Sequence, residues 1–168
     1  MGGVSVLGST QQIRDALGRI ADIGRDPSSV LNALGAGIVR HTEQRMNAGV
    51  DPRGVRWDSY APLNPYYASS KKGPRILIAS RQLQQSLIWR SQGNVLVWGS
   101  NKIYSRIHQL GGIIQPKNKR WLSFEMGGRL WHLDNVEIPA RPYLGFTDQD
   151  RTFLIEELED YLARAMRG

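Results

Sequence analysis

Between Gly49 and Arg75 the chain reads GVDPRGVRWDSYAPLNPYYASSKKGPR, with four prolines and no helical or strand period among its apolar residues. Proline fixes φ and removes a backbone donor, so this stretch cannot join a regular helix or the middle of a sheet. Structureless connections of ~20 residues are uncommon inside compact domains and are usually functional or disordered. Disorder fits poorly, because disordered segments lack aromatics and this one carries Trp57, Tyr60, Tyr66 and Tyr67. Interface cores are enriched in Tyr, Trp and Arg. The stretch therefore reads as an arm that orders against a neighbouring chain, and the four aromatics as subunit contacts. The alternative is an Ω-like loop packed on its own domain.

The flanking segments are periodic. Ile13, Leu17 and Ile20 share one face of a short helix from Ser9 to Ile23. Asp26-Pro27 is a helix start signal, and Val30, Leu31, Leu34, Ile38, Thr42 and Met46 then keep a 3.6-residue period until Gly49 ends it. Gly35 and Gly37 inside that helix each cost ~1 kcal/mol against Ala, which points to close packing against a neighbour. Ile76 to Ile78 looks strand-like. Two hairpins follow, one turning at Gln92-Gly93-Asn94 and one at Gly127-Gly128, with a short helix from Ile103 to Leu110 between them. Pro139 and Pro142 keep Val136 to Phe146 extended. Thr147 and Asp150 resemble a capping box opening a last helix, whose stripe is Phe153, Leu154, Leu158, Tyr161, Leu162 and Ala165. The expected fold is α+β, an antiparallel β-sheet packed against two long helices. At 168 residues it forms a single domain over 1–168, with an N-terminal helical segment at 1–25 and an extended arm or loop at 49–75.

Without cysteine there is no disulfide or thiolate staple, so packing or partner subunits must supply the stability. The opening residues lack a basic region followed by an apolar one, and no window approaches the ~18 apolar residues of a membrane span. The chain reads as soluble and unexported. Its charge is polarised: from Ser59 to Phe124 there is no acid, but Lys71, Lys72, Arg75, Arg81, Arg90, Lys102, Arg106, Lys117, Lys119 and Arg120 are present. From Asp148 onward six acids outweigh three arginines. A basic middle can meet nucleic acid or the acidic helix of another copy, or it can be a solvated surface balanced within the fold.

Catalytic constellations are missing from the sequence. His41, His108 and His132 lie in separate elements without ligand spacing, and no serine elbow or phosphate loop is present; Lys71-Lys72-Gly73-Pro74 is not one. The expectation is no enzyme, no cofactor, no metal and no small-molecule substrate. A basic nucleic-acid-binding module is the competing reading, with Lys71, Lys72, Arg75, Lys117, Lys119 and Arg120 as its contact surface and Trp89, Trp98, Tyr104 and Trp121 interleaved.

Three ordered segments carry a resemblance. They are Thr42 to Met46 with Asp51-Pro52-Arg53-Gly54 and Trp57; the run WGSNKIYSRIHQLGG from Trp98 to Gly112; and IPARPYLG from Ile138 to Gly145. Together they resemble the phage virion morphogenesis family, the tail completion proteins of Mu-like contractile-tailed phages, with Ser105 in place of the usual Ala and Tyr143 in place of Phe. Residues 1–25 and the 120–133 hairpin carry no such likeness. The resemblance implies a structural virion protein, assembled in the host bacterial cytoplasm, that completes the tail and lets it join the DNA-filled head. By analogy with other neck and tail-terminator proteins it implies a homo-oligomer, a hexameric ring contacting neck, tail-tube and connector proteins, with DNA passing through the lumen. Arg141, a fork-shaped donor between two prolines, is then expected to pair with a carboxylate or a backbone carbonyl at a subunit or partner contact.

Overall fold

The structure is a computed structural model that describes residues 11–73 and 75–167. Ser9 and Thr10 of the expected first helix, with the residues before them, lie outside the described residues, as does Pro74.

Helix α1 (Gln11–Arg25) runs almost directly into α2 (Ser28–Ala48). Asp26 accepts a hydrogen bond from Ser28 N at 3.1 Å, as the start signal anticipates, and Gly49, at φ 76°, closes α2. Val30, Leu34, Ile38, Val39 and Met46 of α2 are buried, and the two helical glycines prove to be packing sites. A Cβ on Gly35 would lie 2.2 Å from the Trp89 ring, and one on Gly37 would lie 2.1 Å from Phe153. The neighbours that demand glycine are thus aromatic side chains from two different elements.

The proline-rich stretch forms two short helices, α3 (Trp57–Tyr60) and α4 (Pro65–Ser70). Its first half folds on its own chain. Trp57 is 0% exposed and joins Val39, Met46, Ile76, Leu83, Leu87 and Tyr143 in the core. Burying a tryptophan removes ~200 Å² from water, worth roughly 5 kcal/mol before entropy costs. That gain is collected inside one chain, so the packed-loop alternative describes residues 49–63 and the arm does not. Asp51, also buried, holds the loop together by accepting from Arg53 N at 2.8 Å and Val55 N at 3.0 Å. These bonds explain why an Asp-Pro-x-Gly turn precedes the tryptophan.

Residues 76–78 form a turn, with Leu77 at φ 61°, instead of the expected strand. Helix α5 (Gln82–Gln85) leads into β1 (Leu87–Gln92), which pairs with β2 (Val95–Ser100); the register sets Trp89 opposite Trp98. Helix α6 (Ser105–Leu110) and strand β3 (Gly112–Ile114) follow. The second hairpin is β4 (Leu122–Met126) with β5 (Arg129–Leu133), and β6 (Val136–Ile138) pairs back to β3. Helix α7 (Asp148–Arg167) ends the described chain.

The fold is α+β with antiparallel pairing, but the strands form three separate two-stranded ribbons in place of one sheet. Of these ribbons, β1–β2 packs on α2. Its outward face, with Ile88, Val95 and Val97, is exposed. α7 packs on α1 and α2, yet only Asp150 on it is fully buried, and Leu158, expected in the buried stripe, is 41% exposed. Among the described residues no element covers Ile155 and Leu158 on the outer side of α7, and α1 likewise leaves Ile13 and Leu17 in solvent.

Two glycine substitutions test the α2 packing against one control. Gly35→Ala and Gly37→Ala should each lower stability in urea unfolding by about 1–3 kcal/mol, overpacking outweighing the ~1 kcal/mol helix preference of Ala. Gly18→Ala in α1, which has nothing within 4 Å of the new Cβ, should raise stability by about 0.5–1 kcal/mol. Equal gains at all three positions would contradict the packing.

Candidate functional site

The strand from Ile138 to Gly145 is where the three sequence segments meet. Beyond Ile138 it has no strand partner, and where the extended backbone passes the buried positions Arg141 and Tyr143 its polar groups must be satisfied otherwise. Pro139 and Pro142 bring no N–H to satisfy. Arg141 N donates to His108 O at 2.8 Å. The Gln109 amide then acts as a surrogate strand: its Oε1 accepts from Tyr143 N at 3.0 Å and Leu144 N at 2.9 Å, and its Nε2 donates to Leu144 O at 3.0 Å. Gly111, at φ 69°, lets the two segments touch, since a Cβ there would lie 2.7 Å from Ala140 N.

The third segment closes the knot from the other side. Trp57 Nε1 donates to Pro142 O at 3.0 Å. Arg141 donates through Nε to Ala61 O and through Nη2 to Pro62 O, both at 2.7 Å. The expected pairing of Arg141 with backbone carbonyls is present, but it lies inside the chain, where Arg141 is buried. Burial and, secondarily, the Arg141 charge hold the His108 imidazolium form down, so its pKa lies below the usual histidine value.

A second junction fixes α7. Asp150 and Thr147 form the capping box: Thr147 N donates to Asp150 Oδ2 at 2.9 Å and Asp150 N to Thr147 Oγ1 at 3.1 Å. The same carboxylate takes Arg45 Nη1 at 3.2 Å and faces His41 Nδ1 at 2.9 Å, while Arg45 Nη2 reaches Gly145 O at 3.1 Å. His41 thus meets one carboxylate that already serves a helix cap and an ion pair. Among the described residues no group of three or more His, Asp or Glu is placed to hold a metal ion. Burial pushes the Asp150 pKa up, but the bonds from Thr147 and His41 and the charge of Arg45 outweigh it, leaving the carboxyl below its ordinary range.

The remaining predicted residues scatter. Trp57 is interior and presents no surface to a neighbour, while Arg141, 7% exposed, borders an open cleft. Tyr60, Tyr66 and Tyr67 are partly exposed: Tyr60 OH donates to Asp51 at 3.3 Å, and Tyr66 stacks on Trp131 at 5.2 Å between centroids. Tyr67 lines an open cleft of about 820 Å³ with Leu63, Leu77, Leu83, Phe124 and Ile138; Arg141 and His108 also line it. Tyr104 is 37% exposed and packs edge-on against His108. Of the basic residues, Lys71 is tied to Gly73 O and Ile78 O, and Arg120 stacks over Trp121 at 4.5 Å. Lys72, Arg75, Lys117 and Lys119 are exposed on two loops, one after α4 and one before β4.

The sequence places Gln109 near the end of a short helix and by itself marks no role for it, for Asp51 or for Arg45. The signal for burying Arg45 was present, since it sits three residues after Thr42 and seven after Ile38, on the buried face of α2.

Truncating the surrogate strand should be expensive. Gln109→Ala leaves two donors without an acceptor and should cost about 2–4 kcal/mol in denaturant unfolding; a change within 0.5 kcal/mol would contradict the bonding scheme. Asp150 stabilises the fold fully above its unfolded pKa of about 3.9, and that contribution is lost as pH falls through its lower folded value. Acid should therefore weaken the wild type from about pH 4 downward, and Asp150→Asn, about 3 kcal/mol less stable at neutral pH, should show a flatter acid limb.

Comparison with known proteins places this geometry. The chain is similar to a protein of Haemophilus influenzae named Mu-like prophage FluMu G protein 2, 24% identical over 155 residues that span 92% of each chain. No solved structure matches it. The family model described as the phage virion morphogenesis family matches residues 9–163, well beyond the three segments that carried the resemblance. With its signature segments gathered into one knot, the chain belongs to the phage virion morphogenesis family and has a role in building the phage virion.

Proposed function

We propose that this chain is a tail completion protein, a structural ring component at the head-proximal end of the tail that permits head attachment and leaves a bore for DNA. The observation that carries the proposal is the apolar surface a single copy leaves open. The outer face of the β1–β2 ribbon, with Val95 and Val97, the Ile13 and Leu17 stripe of α1, and Ile155 of α7 are each more than half exposed. Two-stranded ribbons are marginal alone and gain stability when their edges and faces are covered. Exposed apolar faces gathered on single elements mark contact surfaces in soluble proteins when they join into patches.

A ring needs a heterologous interface, in which two different patches of each subunit complement one another. The basic middle and the acidic α7 provide opposite signs on one chain, and six copies are the expected number by analogy with tail-terminator rings. Family membership points to a structural role over an enzymatic one. Among the described residues no helix is long and apolar enough to cross a membrane, and the protein's place in this reading is the virion, following assembly in the bacterial cytoplasm.

A second reading is favoured by Lys72, Arg75, Lys117 and Lys119, which have no carboxylate partner among the described residues. These residues would touch nucleic acid phosphates, either in the bore of a ring or as an independent binding module.

Deleting the gene from a phage that carries it should yield DNA-filled heads and unjoined tails, with joining restored by the purified protein. Joined, infectious particles without the chain would contradict the proposal. An independent binding module predicts tight association with bare duplex DNA, weakened roughly 10³-fold between about 50 and 200 mM salt if about six phosphates are contacted. The ring reading predicts little binding at the upper salt value.

A further inference from the structure

The 820 Å³ cleft has mainly apolar walls, and among its charged lining residues Arg141, Lys71 and Arg81 outnumber Glu125 and Glu137. Arg141 lines it with Nε and Nη2 committed to carbonyls, which leaves Nη1 without a partner, and no carboxylate pairs with this guanidinium among the described residues. His108 beside it is half-buried with Nδ1 unbonded, and Lys71 and Arg81 stand on the cleft wall. An occupant that suits such a site presents two or three apolar side chains with a carboxylate among them.

One surface of the same chain has that composition. On α7, Ile155 and Leu158 are 51% and 41% exposed, and Glu159 shares their face, four residues after Ile155 and one after Leu158. Glu157 and Asp160 approach Arg164 at 3.6 and 3.7 Å, whereas Glu156 and Glu159 have no cationic partner among the described residues. α7 packs on α1 and α2, whereas the cleft is built from the 62–83 segment, α6, β4, β5 and β6. Among the described residues no residue of α7 lines the cleft.

We propose that the Ile155, Leu158 and Glu159 face of α7 from a neighbouring copy docks into this cleft, with Glu159 directed toward Arg141. The contact is head-to-tail: each copy offers its α7 to one neighbour and its cleft to another, which is the arrangement a closed ring requires. The inference rests on the ring proposed above and specifies the interface that closes it. It also sets the acidic helix α7 of one copy against a cleft built in part from the basic middle of the next.

The absence of cysteine makes the test free of background. Ser80→Cys places a thiol on the exposed cleft rim, and Arg151→Cys places one a turn before Ile155 on the outer face of α7; neither changes a contact residue. Mixing the two single variants with a short bismaleimide should give cross-linked dimers, each variant alone should give none, and the double variant should give a ladder up to the full ring. Glu159→Lys, at an exposed position that leaves the fold intact, should raise the concentration needed for assembly at least tenfold, with unchanged thermal unfolding of the subunit. If the wild type assembles but Ser80 and Arg151 positions never cross-link and Glu159→Lys assembles like wild type, this interface is wrong and the ring stands. A wild type that stays monomeric at every concentration, with no cross-link, overturns both.

Discussion

One extended strand that finds no sheet to join sets the terms for the rest of this structure. From Pro139 to Gly145 the backbone runs extended without a strand neighbour through the buried positions Arg141 and Tyr143, a situation that costs unsatisfied polar groups unless each is given another partner. Two prolines remove donors, the Gln109 side chain replaces the missing strand, and Trp57 and Arg45 take the carbonyls of Pro142 and Gly145. Each of these partners comes from a different part of the chain. Loss of any one leaves a buried group unpaired, which explains why residues so distant in sequence form one recognisable set.

Much of the fold was legible from the residues. The stop at Gly49, both hairpin turns, the Thr147–Asp150 capping box and the packing role of Gly35 and Gly37 each follow from local chemistry, and each is present. What could not be read locally was where unlike segments would meet. Trp57 as an interface residue was a fair inference from composition, because an aromatic in an aperiodic stretch wants burial; only the tertiary fold decides whether its own chain or a neighbour provides it. The same holds for Arg141, whose need for carbonyls was clear from its setting between two prolines, while the identity of Ala61 and Pro62 as acceptors was not. The expected single sheet divides into ribbons because α6 and the 115–121 loop separate the hairpins.

The interior and the exterior of the chain do different work. The knot, the α2 core and the Asp150 junction make one rigid body from local helices and short ribbons. The exterior is left unfinished: apolar stripes on α1 and α7, an uncovered ribbon face, and a cleft whose Arg141 makes no ion pair among the described residues. In an isolated enzyme such surface would be a liability. In a component of a symmetric assembly it is the means of joining, and opposite charge on the two joining faces disfavours wrong pairings between like faces.

The central claim is that this chain completes itself by fitting against further copies, and native mass measurement of the purified protein across a concentration series tests it most directly. The account predicts a discrete species at a fixed multiple of 18.9 kDa, six being the expected multiple, that dissociates on dilution or at high salt. A single species at 18.9 kDa from micromolar to millimolar concentration, unchanged by salt, would contradict it.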